Sequence, residues 1–199
     1  MGGTKSADTI RAFVALDLDT KSMRRVLRVS DRLRMASGAP SATWSPQENI
    51  HVTLKFMGGL PSTAVAPLGK ALGPLVDPQN VLQPGSCRLD AFPSIGHANV
   101  IVLVLADPSG QLAKLAAKIE KLAARHGIAP ESRAFVPHVT LARLKRPYDA
   151  HRWLKQELAE AAGELAVTHL TLYRSDLAAG KDGHAAYVPL ARFDCARIP

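Results

Sequence analysis

Along most of this chain the apolar and polar positions repeat with the period of a strand or a helix, and the period predicts the elements. Arg11 to Leu18 (R-A-F-V-A-L-D-L) is a nearly unbroken apolar run of strand length. Thr20 is placed to cap a helix from about Lys21 to Ala36. Met23, Val26, Leu27, Ser30 and Leu33 form its apolar stripe, while Arg24, Arg25, Arg28 and Arg32 fall largely on the other side. Gly38 and Pro40 end it. Trp44 to Asn49 is turn-like and leads into a strand from Ile50 to Phe56. A second helix is expected from Pro61 to Leu75, with Pro67 and Gly69 against it.

Val81 to Phe92 and Asn99 to Ala106 read as strands around the turn Pro93-Ser94-Ile95-Gly96. Asp107 is placed to cap a long helix from Pro108 to His126. Leu112, Leu115, Ala116, Ile119 and Leu122 form its buried stripe, and Gly127 stops it. A strand from His138 to Leu144 follows, then a helix from Asp149 to Ala162 ended by Gly163. Two closing strands, Leu165 to Ser175 and Ala185 to Phe193, flank a loop at 178–183. Mixed strands and helices with hairpin-like strand pairs predict an α+β fold of mostly antiparallel sheet. Met1 to Asp8 is small and polar and is expected to be a disordered tail, leaving residues 9–199 as the folded domain.

Composition narrows the class. At 199 residues the chain can bury a sizeable core, and 47% apolar against 21% charged residues excludes a disordered polymer. No apolar run approaches the roughly 20 residues of a membrane-spanning helix, so no membrane partner is expected. Cys87 and Cys195 make a poor disulfide framework and belong to no Cys/His ligand cluster, which suits a reducing cytoplasm. The 25 Lys and Arg against 17 Asp and Glu give a net charge of +8, which favours a polyanionic partner.

Candidate chemistry comes from an internal echo. Ile50-His51-Val52-Thr53-Leu54-Lys55-Phe56 and Pro137-His138-Val139-Thr140-Leu141-Ala142-Arg143 share H-V-T-L, 87 residues apart. Strand alternation puts His51 with Thr53 on one face, opposite Val52 and Leu54, and His138 with Thr140 opposite Val139 and Leu141. Each segment can bury its aliphatic pair and present an imidazole and a hydroxyl together. An imidazole exchanges protons near its unperturbed value of about 6.5, and a hydroxyl donates to a phosphate oxygen, so two such pairs supply acid, base and phosphate donors near neutrality. A single H-x-T is a weak signal and its histidine is more often a core residue; a matched pair is far stronger. No third Asp, Glu, Cys or His at ligand spacing completes a metal site. His97, His126, His151, His169 and His184 lack this context and read as surface or loop residues, His126 suiting a helix C-terminus. Gly58-Gly59 reads as a turn, and no P-loop or dinucleotide spacing calls for ATP, a nicotinamide or any other cofactor.

These segments, with the opening Arg11-Ala12-Phe13-Val14-Ala15-Leu16-Asp17, Trp44, Glu48-Asn49 and Met57-Gly58, and Phe135-Val136, resemble the 2H phosphoesterase superfamily. Within it they resemble the RNA 2′,3′-cyclic phosphodiesterases once described as 2′-5′ RNA ligases. The resemblance runs from about Arg11 to Phe193, although the spacer Gly180-Lys181-Asp182-Gly183-His184 lacks the Pro-Gly-type turn of the family. It implies a bilobal fold, two similar lobes with helices packed outside and a cleft between them. It implies a monomer without cofactor or metal that hydrolyses 2′,3′-cyclic phosphates at RNA ends or on nucleotides. His51 then protonates the departing ribose oxygen and His138 activates water. Thr53, Thr140 and Arg143 hold the phosphate, and Phe56 offers its face to a base. Strict alternation, however, sends Arg143 and Phe56 to the side away from the histidines, so each strand needs a bulge or a twist. Alternatives are joining of RNA ends through a 2′,5′ linkage, or a non-catalytic RNA- or nucleotide-binding module.

Overall fold

The computed structural model describes residues 8–77, 82, 84–155, 163–179 and 184–195. Eight strands, all paired antiparallel, form one sheet in the order β4-β5-β6-β3-β1-β7-β8, with β2 on the other side of β6. They are β1 (Thr9–Leu18), β2 (Ala42–Trp44), β3 (Val52–Pro61), β4 (Cys87–Ser94), β5 (His97–Leu105), β6 (His138–Tyr148), β7 (Val167–Asp176) and β8 (Ala186–Asp194). The helices are α1 (Thr20–Met35), α2 (Ser62–Leu72), α3 (Gln111–Arg125) and the described part of α4 (His151–Lys155).

The sheet is pinched in its middle. β3 and β6 share a single ladder pair, Val52 opposite Val139. This divides the sheet into two halves, β3-β1-β7-β8 and β4-β5-β6-β2. The helices exchange halves: α1 leaves β1 and packs against β6, whereas α3 leaves β5 and packs against β3 and α2. The core is continuous through Leu16, Leu33, Leu60, Leu103, Ile119, Leu141, Trp153 and their neighbours, and the Trp153 indole N–H donates to the Leu33 carbonyl at 3.2 Å.

Several elements differ from the sequence expectation. Asp19, not Thr20, caps α1, its carboxylate accepting from the Ser22 N–H at 2.6 Å. β2 was not expected; it is three residues long and lies behind Pro40. β4 begins at Cys87, while Val81, where the strand was expected to start, lies outside the described residues; Pro93 and Ser94 belong to β4, leaving Ile95-Gly96 as the turn. α3 begins at Gln111. Pro108 to Gly110 makes a turn before it, and Asp107 still reaches the orphan N–H groups of Leu112 and Ala113. Gly58 is not a turn: it sits inside β3 at φ +62°, where Ala12 pairs with Gly58, Phe13 with Phe56, and Met57 is the extra residue of a bulge. The expected tail lies outside the described residues except for Asp8, whose carbonyl accepts from the Ser62 N–H. Most of the 178–183 loop and the end of the helix expected to reach Ala162 also lie outside them.

Candidate active site

Antiparallel pairing of Val52 with Val139 fixes what lies beside the pinch. One step to either side sets His51 opposite Thr140 and Thr53 opposite His138, all four on the face away from the aliphatic pair. Val52, Leu54, Val139 and Leu141 are buried beneath them. The two H-x-T segments therefore converge on one patch.

Arg143 and Phe56 reach that patch by a duplicated bulge. Val14 pairs with Lys55 but Ala15 pairs with Thr53, so Leu54 is an extra residue in β3. Ile101 pairs with Ala142 but Val102 pairs with Thr140, so Leu141 is an extra residue in β6. Each bulge puts two successive residues into the core, Leu54 with Lys55 and Leu141 with Ala142, and inverts the phase of the strand beyond. Phe56 and Arg143 occupy the same place in the two copies, five residues after the histidine. Thr53, Phe56, His138, Thr140 and Arg143 all line a cleft of about 830 Å³, walled on its far side by Phe92, Phe135, Arg133 and one face of α3. That volume suits a nucleotide-sized ligand. Phe56 is 54% exposed at its rim.

His51 sits beside this cleft and does not line it. Its ring stacks on Phe13 at 4.9 Å between centroids and meets Tyr187 edge-on at 5.4 Å, with Tyr173 at 6.2 Å. Burial in this aromatic cage pushes its pKa down to about 4, against an opposing pull from the Asp17 carboxylate and with a smaller push from His138. His138 is lowered too, by burial, with the Val136 carbonyl opposing and Arg143 adding to the shift. The expectation of two rings near 6.5 is thus corrected, because both are desolvated.

The Nδ1 of His138 lies 2.8 Å from the Val136 carbonyl oxygen, and a carbonyl can only accept. Nδ1 therefore carries the hydrogen, and the neutral ring keeps its Nε2 lone pair for another proton. Phe92 meets this ring edge-on at 5.0 Å.

Sequence reasoning missed the residues behind the two histidines. Lys55 is a buried lysine whose Nζ donates to Glu120 of α3 at 2.9 Å and to the Ala129 carbonyl at 2.8 Å. Glu120 also accepts from the Glu131 N–H at 3.0 Å, so this pair pins the segment that walls the cleft. Phe13, Tyr173 and Tyr187 were not singled out either, although Phe13 and Asp17 fall on the same face of β1 by alternation. His169, expected at the surface or in a loop, lies in β7 between Thr168, Arg192 and Asp194. Among the described residues, no group of three or more His, Cys, Asp or Glu is placed to hold a metal ion, and no helix is long and apolar enough to cross a membrane.

A pinched antiparallel sheet with two H-x-T strands meeting at the pinch is the architecture of the 2H phosphoesterases. A family model for the 2′-5′ RNA ligase superfamily matches residues 24–179, and the chain belongs to that family. It is 30% identical to the RNA 2′,3′-cyclic phosphodiesterase of Escherichia coli over 185 residues, covering 92% of this chain and 95% of the relative. It is 29% identical to that of Aeropyrum pernix over 156 residues, 77% of this chain and 86% of the relative. Among solved structures, Escherichia coli LigT complexed with 3′-AMP superposes with a TM-score of 0.69 at 24% identity, over 94% of this chain and 98% of LigT. A Thermus thermophilus protein superposes with a TM-score of 0.64 at 26% identity, over 95% and 100% of the two chains.

Proposed function

We propose that this chain is a phosphoesterase that hydrolyses 2′,3′-cyclic phosphates, at RNA ends or on nucleotides, to 2′-phosphates by two-histidine acid–base catalysis without a metal. It acts as a monomer in the cytoplasm. The observation that carries this reading is the convergence of His51, Thr53, His138 and Thr140 on one face at the pinch, with Arg143 and Phe56 delivered beside them by matched bulges. Relatives named RNA 2′,3′-cyclic phosphodiesterase, similar over most of the chain, support it.

Water attacks phosphorus while His138 Nε2 takes its proton; the bond from phosphorus to the ribose 3′-oxygen breaks, and that oxygen receives a proton from His51. Displacement in line places water and leaving oxygen on opposite sides of phosphorus, which suits two imidazoles contributed by opposite half-sheets. The Thr53 and Thr140 hydroxyls donate to the non-bridging oxygens, and the Arg143 guanidinium offsets their charge as it builds. Phe56 stacks on the base.

A second reading exchanges the two histidines. It is favoured by the stronger lowering of His51, which leaves that ring the readier to be neutral. A substrate with an activated leaving group needs no acid, so it should rescue His51→Ala and not His138→Ala; rescue of the His138 variant alone means the roles are exchanged. The reaction itself is tested by incubating pure protein with 2′,3′-cyclic nucleotides and with cyclic-ended RNA. A 2′-phosphate product is expected. Joined 2′,5′-linked RNA, or binding without turnover, overturns hydrolysis in favour of ligation or a binding module.

A further inference from the structure

The half-sheet that carries His51 has a polar row running across it. The β1–β3 ladder ends with Leu16 opposite Val52, and His51 immediately precedes β3, so continuing the register by one residue sets Asp17 opposite His51. β1 and β7 pair Asp17 with His169, and β7 and β8 pair His169 with Asp194. Four strands thus present His51, Asp17, His169 and Asp194 side by side, imidazole and carboxylate in alternation. Such cross-strand neighbours stand close enough for opposite charges to act on each other.

Asp17 is the anchored member of the row. It is buried, and its two carboxylate oxygens are fully engaged. Oδ2 accepts from the Thr171 hydroxyl at 2.8 Å and is ion-paired with Arg192 at 3.2 Å, and Oδ1 accepts from the Tyr173 hydroxyl at 2.8 Å. Arg192 also donates to His169 at 3.1 Å, whose Nε2 lies 3.1 Å from Asp194. These bonds hold the carboxylate in one orientation beside a ring that makes stacking contacts and no hydrogen bond among the described residues. A carboxylate so fixed is a field source that needs no rearrangement when charge appears on its neighbour.

We propose that Asp17 is the positioning residue of His51, an anchored negative charge that stabilises the imidazolium form of that ring, with Arg192 set to moderate it. Its effect opposes the cost of enclosing a histidine in an aromatic cage. Among the described residues, the titratable or charged groups around His51 are Asp17 from β1, Tyr173 from β7, Tyr187 and the Asp17-bound Arg192 from β8, and His138 from β6. Tyr173 is held neutral, its pKa raised by burial and by Asp17. The inference rests on the catalytic reading of His51 only for its consequence. An imidazolium forms on this ring whether it gives a proton or takes one.

The bland alternative is that Asp17 merely ties β1 to β7 through Thr171 and Tyr173. Signs separate the two. The titration of His51 is followed by NMR of histidine-labelled free protein in wild type, Asp17→Asn and Arg192→Leu. Removing the carboxylate charge should lower the His51 midpoint by about one unit, the lower end of the range for an opposite charge a few ångströms away. Removing the arginine, which is half-exposed, should raise it. A structural tie predicts no displacement in either variant, or displacements of the same sign, and either result overturns the proposal. If Asp17→Asn does not fold, Arg192→Leu alone tests it, since an unmoved or lowered midpoint there is already fatal. Turnover of a 2′,3′-cyclic nucleotide at pH 7 should fall about tenfold in Asp17→Asn, the kinetic equivalent of that unit. Failure of the catalytic reading itself shows up elsewhere, as full turnover in His51→Ala, and leaves the NMR result to judge Asp17.

Discussion

The two H-V-T-L segments share four residues and a bulge, yet the halves of the sheet treat them differently. His51 is enclosed by Phe13, Tyr173 and Tyr187 and stands at the end of a row that alternates carboxylate and imidazole. His138 is oriented by a backbone carbonyl, and the charge that acts on it is the Arg143 guanidinium. After the bulge, one copy buries Lys55 and exposes Phe56, whereas the other buries Ala142 and presents Arg143. The repeated segment gives both histidines the same local geometry, and their different neighbours make the two imidazoles unlike. Acid–base catalysis needs that asymmetry, since one ring must hold a proton while the other lacks it.

The largest effect should come from removing either member of the pair. His51→Ala and His138→Ala are each expected to lower kcat by about 10²–10⁴-fold, the usual worth of a general acid or base, with folding intact by circular dichroism. The double variant should be little worse than either single one, because groups acting in one step are not additive. Near-wild-type turnover in either single variant removes the mechanism.

Next is the unlike pair beneath the bulges. Replacing Lys55 by methionine leaves Glu120 without its buried partner, and breaking such a pair costs roughly 3 kcal/mol, at the low end because Glu120 is itself 31% exposed. Urea unfolding should show a loss of that order. Ala142→Val, which touches no ion pair, should cost less; equal losses would mean the two copies do not differ here.

At the matched positions beyond the bulges, a guanidinium grips two phosphate oxygens in a way that an ammonium cannot. Arg143→Lys should lose about tenfold or more in kcat/KM, on the order of one charge-assisted hydrogen bond. Phe56→Ala should act mainly on KM. If Arg143→Lys matches wild type, the bulge at Leu141 does not serve the phosphate.

The smallest effect is a displacement of the pH profile. Both histidines bind protons less readily in the folded chain than at the ordinary 6.5, His51 down to about 4. The bell of kcat/KM reports the free protein, so both limbs should move to the acid side and the maximum should lie below pH 6.5. The same shifts act on stability. A ring whose folded pKa is depressed contributes fully above 6.5, and its contribution is lost progressively as pH falls from 6.5 towards the folded value. The urea midpoint should therefore drop over pH 6.5–4, and less steeply in His51→Gln. A kcat/KM maximum at or above pH 7 would show that the cage does not desolvate the ring.

Much of this was legible in the sequence because it rests on local signals. The H-V-T-L echo, the stripe of α3 and the apolar run of β1 depend on period alone, which is why the α+β class and the two H-x-T strands follow without coordinates. The bulges carried no such mark. Leu54 and Leu141 are ordinary strand residues, and only the partner strand's count reveals either as the extra one. β2 is too short to show a period. In the sequence Asp17 reads only as part of an apolar strand, and its meaning comes from His51, Thr171 and Arg192, which three other segments of the sheet bring to it. His169 was misjudged for the same reason.

The pinch at Val52 and Val139 has a consequence for the order in which the chain is made. Residues up to the end of β6 already include both H-V-T-L segments and the pair that joins them. Yet β1 draws its second neighbour from β7, with Val14 opposite Leu172, and two of the three rings around His51 are Tyr173 and Tyr187. Contacts of such sequence separation form late, because the loop must close before they stabilise anything. On the ribosome, a nascent chain therefore holds both imidazoles well before it holds the environment that makes them unlike. β7 and β8, which follow both segments along the chain, are what give the two like imidazoles their unlike surroundings.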